Sequence, residues 1–125
     1  MNIFALHPNP AIAASMHCNN HLHKMILESA QMLSTMFHHN FPEETNIRAL
    51  IYKPAYENHP CTKWVSNSLY NASWLIRLCY ELQDIRYSVG CEEHSSMQII
   101  KAIDCVIQAH DWIEPTELYN RHTCA

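Results

Sequence analysis

Apolar side chains return every three or four positions through most of this chain, the spacing that gives an α-helix one apolar face. The segment from Asn19 to His38 shows it most strongly. At about 100° per residue, Leu22, Met25, Ile26, Ser29, Met32, Leu33, Met36 and Phe37 fall on one side, and His21, Lys24, Glu28, Gln31 and Thr35 form a polar stripe beside them. A second long helix is expected from about Thr62 to Tyr87, with Trp64, Leu75, Leu78, Cys79 and Leu82 on one face. Ser68 and Asn71 fall within that face and need hydrogen-bonding partners, since an unpaired buried amide costs about 1–3 kcal/mol. From Met97 to about Trp112 the pattern returns with Ile99, Ile100, Ile103, Val106 and Ile107 inward, and Ser95 or Ser96 is the expected cap.

The breaks between these segments are equally plain. His7-Pro-Asn-Pro interrupts the short apolar opening from Asn2 to Leu6, and Asn9 can cap a short helix with Pro10 in its first turn, running to about His17. A long connection reaches from Phe41 to Pro60 with a helical turn expected around Glu43 to Leu50, and connections of that length in small domains tend to be functional. Gly90 stands near the end of the second long helix, and Glu114-Pro115 closes the last one, leaving residues 116–125 as a peripheral tail.

Composition narrows the fold further. A single glycine argues against tight hairpins and a sheet, so the expectation is all-α. At 125 residues the chain is expected to form one compact domain of about four helices over residues 1–125. No apolar run approaches the ~20 residues a membrane helix requires. The N-terminus does not read as a secretory signal, so a cytoplasmic location is expected and the six cysteines (Cys18, Cys61, Cys79, Cys91, Cys105, Cys124) are expected to be reduced.

Charge limits the partners. Eight Lys and Arg stand against twelve Asp and Glu, for a net charge of −4. No basic run or cluster occurs, and duplex DNA is therefore a disfavoured partner, because affinity for it comes largely from cations that neutralise phosphates.

The chemistry on offer is limited too. Lys24 and Glu28 lie four apart, which reads either as a surface ion pair or as a cation for a phosphate beside a carboxylate that accepts a hydrogen bond or acts as a base. Gln31, one turn on, can read the edge of a ligand. His17 and His21 share the spacing of paired metal ligands, yet no acidic ligand or His-Glu-x-x-His pattern completes a site, so no metal is expected. His38-His39 closes a helix, where its C-terminal dipole favours a cation. No nucleophile elbow and no phosphate-cradling glycine loop is present, and Cys18 and Cys61 read as small buried residues. No cofactor is expected.

The joint pattern Met1-Asn-Ile-Phe-Ala-Leu, Lys24-Met-Ile-Leu-Glu28-Ser-Ala-Gln31-Met-Leu, His59-Pro60, Trp64, Ser68, Asn71, Trp74-Leu75 and His94 resembles a group of small phage-encoded proteins. That group is distantly similar to the pyrimidine-dimer DNA glycosylase family, and the likeness covers roughly residues 1–94. It implies an all-helical fold, an N-terminal amine on Met1 that attacks the sugar C1′ of a damaged nucleotide, and Glu28 as the acidic catalytic residue. The chain departs from the family where cations are expected, at Asn20, Ser66, Val89 and Glu92, and where an Asp is usual, at Asn19. Asn2 is also too large for efficient removal of Met1.

The losses agree with the acidic balance, whereas the pocket-like residues are kept. The expected function is therefore a non-enzymatic pocket for a small nucleotide-like ligand, lined by Lys24, Glu28, Gln31, His59, Trp64, Ser68 and Asn71. The resemblance implies a phage protein, in the cytoplasm of an infected bacterial host, that sequesters an immune signalling nucleotide, and tight binding of that kind often uses a homo-oligomer. One alternative is a DNA glycosylase and lyase acting on damaged pyrimidines through Met1 and Glu28. The other is an antagonist that binds a host protein through a surface patch.

Overall fold

The computed structural model describes residues 9–10, 22–44 and 46–109. Helix α1 spans Leu22–Asn40, α2 Pro60–Asn67, α3 Leu69–Ser88 and α4 Met97–Ala109, and no strand occurs among the described residues. The short helix expected from Asn9, apart from Asn9 and Pro10 themselves, and the tail from 116 to 125 lie outside the described residues. Among those described, no helix is long and apolar enough to cross a membrane.

Helix α1 is the hub. It packs against α2, α3 and α4, whereas α2 and α4 do not touch each other. All eight residues assigned to its inner face, from Leu22 to Phe37, are buried. Burial goes beyond that face, because every residue from Met32 to Phe37 is buried and α1 is enclosed all round over that stretch. Thr35, expected on the polar stripe, is therefore inside.

What encloses it is the connection after α1. Ser34 Oγ donates to the Ala30 carbonyl at 2.8 Å and accepts the Tyr52 N–H at 3.2 Å. Thr35 Oγ1 accepts the Ala55 N–H at 3.0 Å and lies within reach of the Ala55 and Gln31 carbonyls. His38 Nε2 donates to the Tyr52 carbonyl, and His39 Nε2 to Glu57. The helical turn expected between Glu43 and Leu50 is instead a set of turns, with Glu44 N–H bonded to Phe41 and Leu50 N–H to Ile47. The segment gains its order from α1 rather than from its own helix.

The helix expected from Thr62 to Tyr87 is two helices. Ser68 breaks it, with φ −155° and ψ 149°, ending α2 and capping α3 in a single residue. Its Oγ accepts the Asn71 N–H at 3.0 Å, a donor left without a carbonyl at the start of a helix. Apolar periodicity continues across the break, since Trp64, Leu75, Leu78, Cys79 and Leu82 are all buried. Cys79 lies against Ser29 of α1, and burial pushes its thiol up to about 12, so it stays protonated.

Helix α3 ends where Gly90 takes φ +88°. Gly90 N–H bonds to the Tyr87 carbonyl and Cys91 N–H to the Arg86 carbonyl, so the last carbonyls of the helix are satisfied by a left-handed residue just past its end. The chain then returns to α4 along a polar frame. Gln83 Oε1 accepts the His94 N–H at 2.8 Å, and its amide donates to the Glu92 carbonyl, which Arg86 also reaches. Ser96, expected as a cap of α4, turns its hydroxyl to Tyr52 instead, at 2.9 Å. His94 Nδ1 takes the Ser96 N–H, and Tyr80 OH donates to Asp104 to tie α3 to α4.

Two outcomes follow from these end structures. Nothing lies within 4 Å of a Cβ added at Gly90, so Gly90→Ala is strained only by its backbone angle and should cost about 1–2 kcal/mol in chemical denaturation, with the asparagine variant costing less. Partial burial, then the charges of Arg86 and His23, hold His94 below its usual 6.5. The unfolded chain thus binds the proton more readily, and His94's contribution to stability is complete above about pH 6.5 and declines as pH falls through the lowered folded value. Stability curves of His94→Asn, whose side chain can still accept the Ser96 N–H, should lose that part of the acid dependence.

Candidate functional site

Seven side chains carry the expected ligand site, and the structure divides them by what they already do. Ser68 caps α3. Asn71 Nδ2 donates to the Trp64 carbonyl at 2.8 Å, replacing the amide that α2 would have supplied had it continued another turn. Ser68 and Asn71, which the apolar face demanded should find partners, thus find them in the junction itself. His59 caps α2 in front of Pro60, its Nδ1 accepting the Cys61 N–H at 3.1 Å. Trp64 is a core residue at 3% exposure, with its ring edge-on to Trp74 at 6.0 Å.

Lys24, Glu28 and Gln31 are different. They run along one margin of α1 without entering its packing. Lys24 Nζ lies 3.9 Å from Glu28, with the lysine side chain 64% exposed and the glutamate 18%. A helical pair of this kind contributes about 0.2–0.5 kcal/mol. Neither the Glu28 carboxylate nor the Gln31 side-chain amide makes a hydrogen bond among the described residues, although both residues are half-buried. No hydrogen bond or ion pair joins these three to His59, Ser68 or Asn71.

Met1, with its amine, and Cys18, Asn19, Asn20, His17 and His21 lie outside the described residues. The cation-deficient positions that are described sit at accessible places: Val89 and Glu92 are exposed and Ser66 is half-buried. Among the described residues no three His, Cys, Asp or Glu side chains come together as a metal site. Cys61 and Cys79 are buried thiols, whereas Cys91 and Cys105 are exposed, and none of the four is in a disulfide.

One polar grouping was not anticipated. The rings of His23 and His94 stack at 6.3 Å beside Arg86, at the meeting of α1 and the end of α3. His94 belongs to the motif spacing read from the sequence, but nothing in that spacing signals that it faces His23. Its partners are separated from it in the chain, and only the fold of residues 89–96 brings them close.

The chain also matches a known family. The match is to the pyrimidine dimer DNA glycosylases and covers residues 1–92, which takes in α1, α2 and α3 and most of the residues discussed above. No curated protein and no solved structure matches the chain. The helical architecture agrees with the match, and the chain belongs to the pyrimidine dimer DNA glycosylase family.

Proposed function

We propose that the chain binds a nucleotide at the α1 margin formed by Lys24, Glu28 and Gln31. The observation that carries this reading is the polar pair on α1: among the described residues the half-buried side chains of Glu28 and Gln31 make no hydrogen bond, whereas His59, Ser68 and Asn71 are committed to helix ends and Trp64 to the core. Among the described residues the Glu28 carboxylate has only Lys24 beside it and the Gln31 amide has no hydrogen bond, so a ligand that donates to one and pairs with the other uses hydrogen-bonding capacity that the fold leaves open. Lys24 supplies a cation for a phosphate. Family membership supports a nucleotide as the ligand class, and the net charge of −4 supports a free nucleotide over a duplex. The protein then acts by holding the ligand, as a sequestering protein of a phage would hold a host signal, and self-association closes the exposed side of the margin.

A second reading keeps the family's chemistry. The family match favours it directly. The N-terminal amine attacks C1′ of a damaged nucleotide, the base departs as its bond breaks, and Glu28 handles the protons of the resulting iminium.

Calorimetry against a panel of cyclic, linear and ADP-ribose-type nucleotides tests the first reading. A bound nucleotide should lose about tenfold or more in affinity in Glu28→Gln, and somewhat less in Gln31→Ala. Ser68→Ala should instead lower stability by about 1 kcal/mol and leave affinity unchanged. Heat from none of the nucleotides, or unaltered affinity in both α1 variants, overturns the assignment. Borohydride reduction on abasic and dimer-containing DNA decides the second reading: a covalent adduct that Glu28→Gln abolishes supports excision, and no adduct ends it.

A further inference from the structure

The end of α3 and the start of α1 enclose a second place for a ligand, outside the Lys24–Glu28–Gln31 margin. A cavity of about 260 Å³ is bounded there by Leu22, His23, Arg86, Val89 and Cys91. Arg86 is half-buried, yet it forms no ion pair among the described residues, in a chain whose acids outnumber its basic residues by twelve to eight. One guanidinium nitrogen, Nη2, donates to the Glu92 carbonyl at 3.2 Å. Its Nε is buried with no acceptor, and Nη1 makes no hydrogen bond among the described residues.

The neighbours add to the positive character. His23 comes from α1, and its ring makes no hydrogen bond among the described residues. His94 stands behind it with Nδ1 occupied by the Ser96 N–H, so it supports His23 rather than offering a contact. Burial first, and then the charge of Arg86 beside it, hold His94 below its usual value. Among the described residues Cys91 also lines the cavity, and Glu92 meets Arg86 through its backbone carbonyl.

We propose that this cavity binds a phosphate group carried on a small organic body, with Arg86 and His23 as its contacts and Leu22 and Val89 as its apolar wall. Nε is buried away from the cavity and Nη2 is held by Glu92, so Nη1 is the guanidinium nitrogen left to donate to a phosphate oxygen. The volume lies below the range of about 300–1,000 Å³ usual for drug-sized ligands, so a phosphorylated sugar fits better than a dinucleotide. None of the residues of the proposed nucleotide margin takes part, and either site stands or falls alone.

Histidine ring resonances in a titration of the full chain test it. Inorganic phosphate, ribose 5-phosphate and uncharged ribose are the probes. The expected result is a saturable shift of the His23 and His94 ring signals with ribose 5-phosphate, with a dissociation constant on the order of 1 mM or tighter. Weaker binding of inorganic phosphate identifies the ester as the ligand, and equal binding identifies the oxyanion alone; both support the site. Arg86→Gln should weaken binding by about tenfold or more. Val89→Asp changes an exposed residue and places a carboxylate on the cavity wall, so it should do the same without depending on the frame that Arg86 supports. Arg77→Gln removes an equal charge from an exposed position elsewhere on α3 and should bind like the parent. Shifts that never saturate, equal shifts with ribose, parent-like binding by both cavity variants, or an equal loss in Arg77→Gln overturn the proposal.

Discussion

The fold depends on closing α1 on every side. From Met32 to Phe37 the helix has no wet face, and two of the side chains caught there, Ser34 and Thr35, carry hydroxyls. They are tolerable only because the irregular run of residues 52–55 brings backbone amides and carbonyls to them. The dependence runs both ways. That run lacks helical hydrogen bonds of its own, so α1 supplies the partners its peptide groups require. Core and connection therefore order each other, and α2, α3 and α4 are then placed against the remaining sides of α1.

Much of this was legible in the sequence because the inner faces are periodic. The residues of α1 from Leu22 to Phe37, the leucines of α3 and the isoleucines of α4 were readable from spacing, as was Gly90 at the end of α3. Thr35 was not, because periodicity describes a helix in isolation and the segment that covers Thr35 lies twenty residues further on. The break at Ser68 was hidden for a related reason: the apolar stripe keeps its phase across the break, from Trp64 to Leu75. Gln83, Arg86 and His94 were missed as a group since their association follows from how the chain turns back after α3.

The candidate site shows how a polar residue in an apolar stripe is best interrogated. His59, Ser68 and Asn71 share the motif with Lys24, Glu28 and Gln31, and type alone does not separate them. What separates them is whether helix ends already consume their hydrogen-bonding capacity. His59 is consumed at the start of α2 and Ser68 and Asn71 in the elbow between α2 and α3, whereas among the described residues the acidic residue and amide on α1 are not. Belonging to a glycosylase family places nucleotide chemistry within reach, and the net charge of −4 is the ground on which a free nucleotide is proposed over a duplex.

The elbow at Ser68 has a consequence for how this chain can vary. Because one residue serves as the end of α2 and the beginning of α3, there is no slack between them. One inserted residue would separate the end of α2 from the start of α3 and disrupt the Ser68 cap and the Asn71–Trp64 bond that hold the elbow. Length change is therefore barred at the shortest junction of the fold, while the turns between Pro42 and Leu50 can absorb it. Lineages descended from this sequence should diversify by lengthening there and keep the elbow fixed in register.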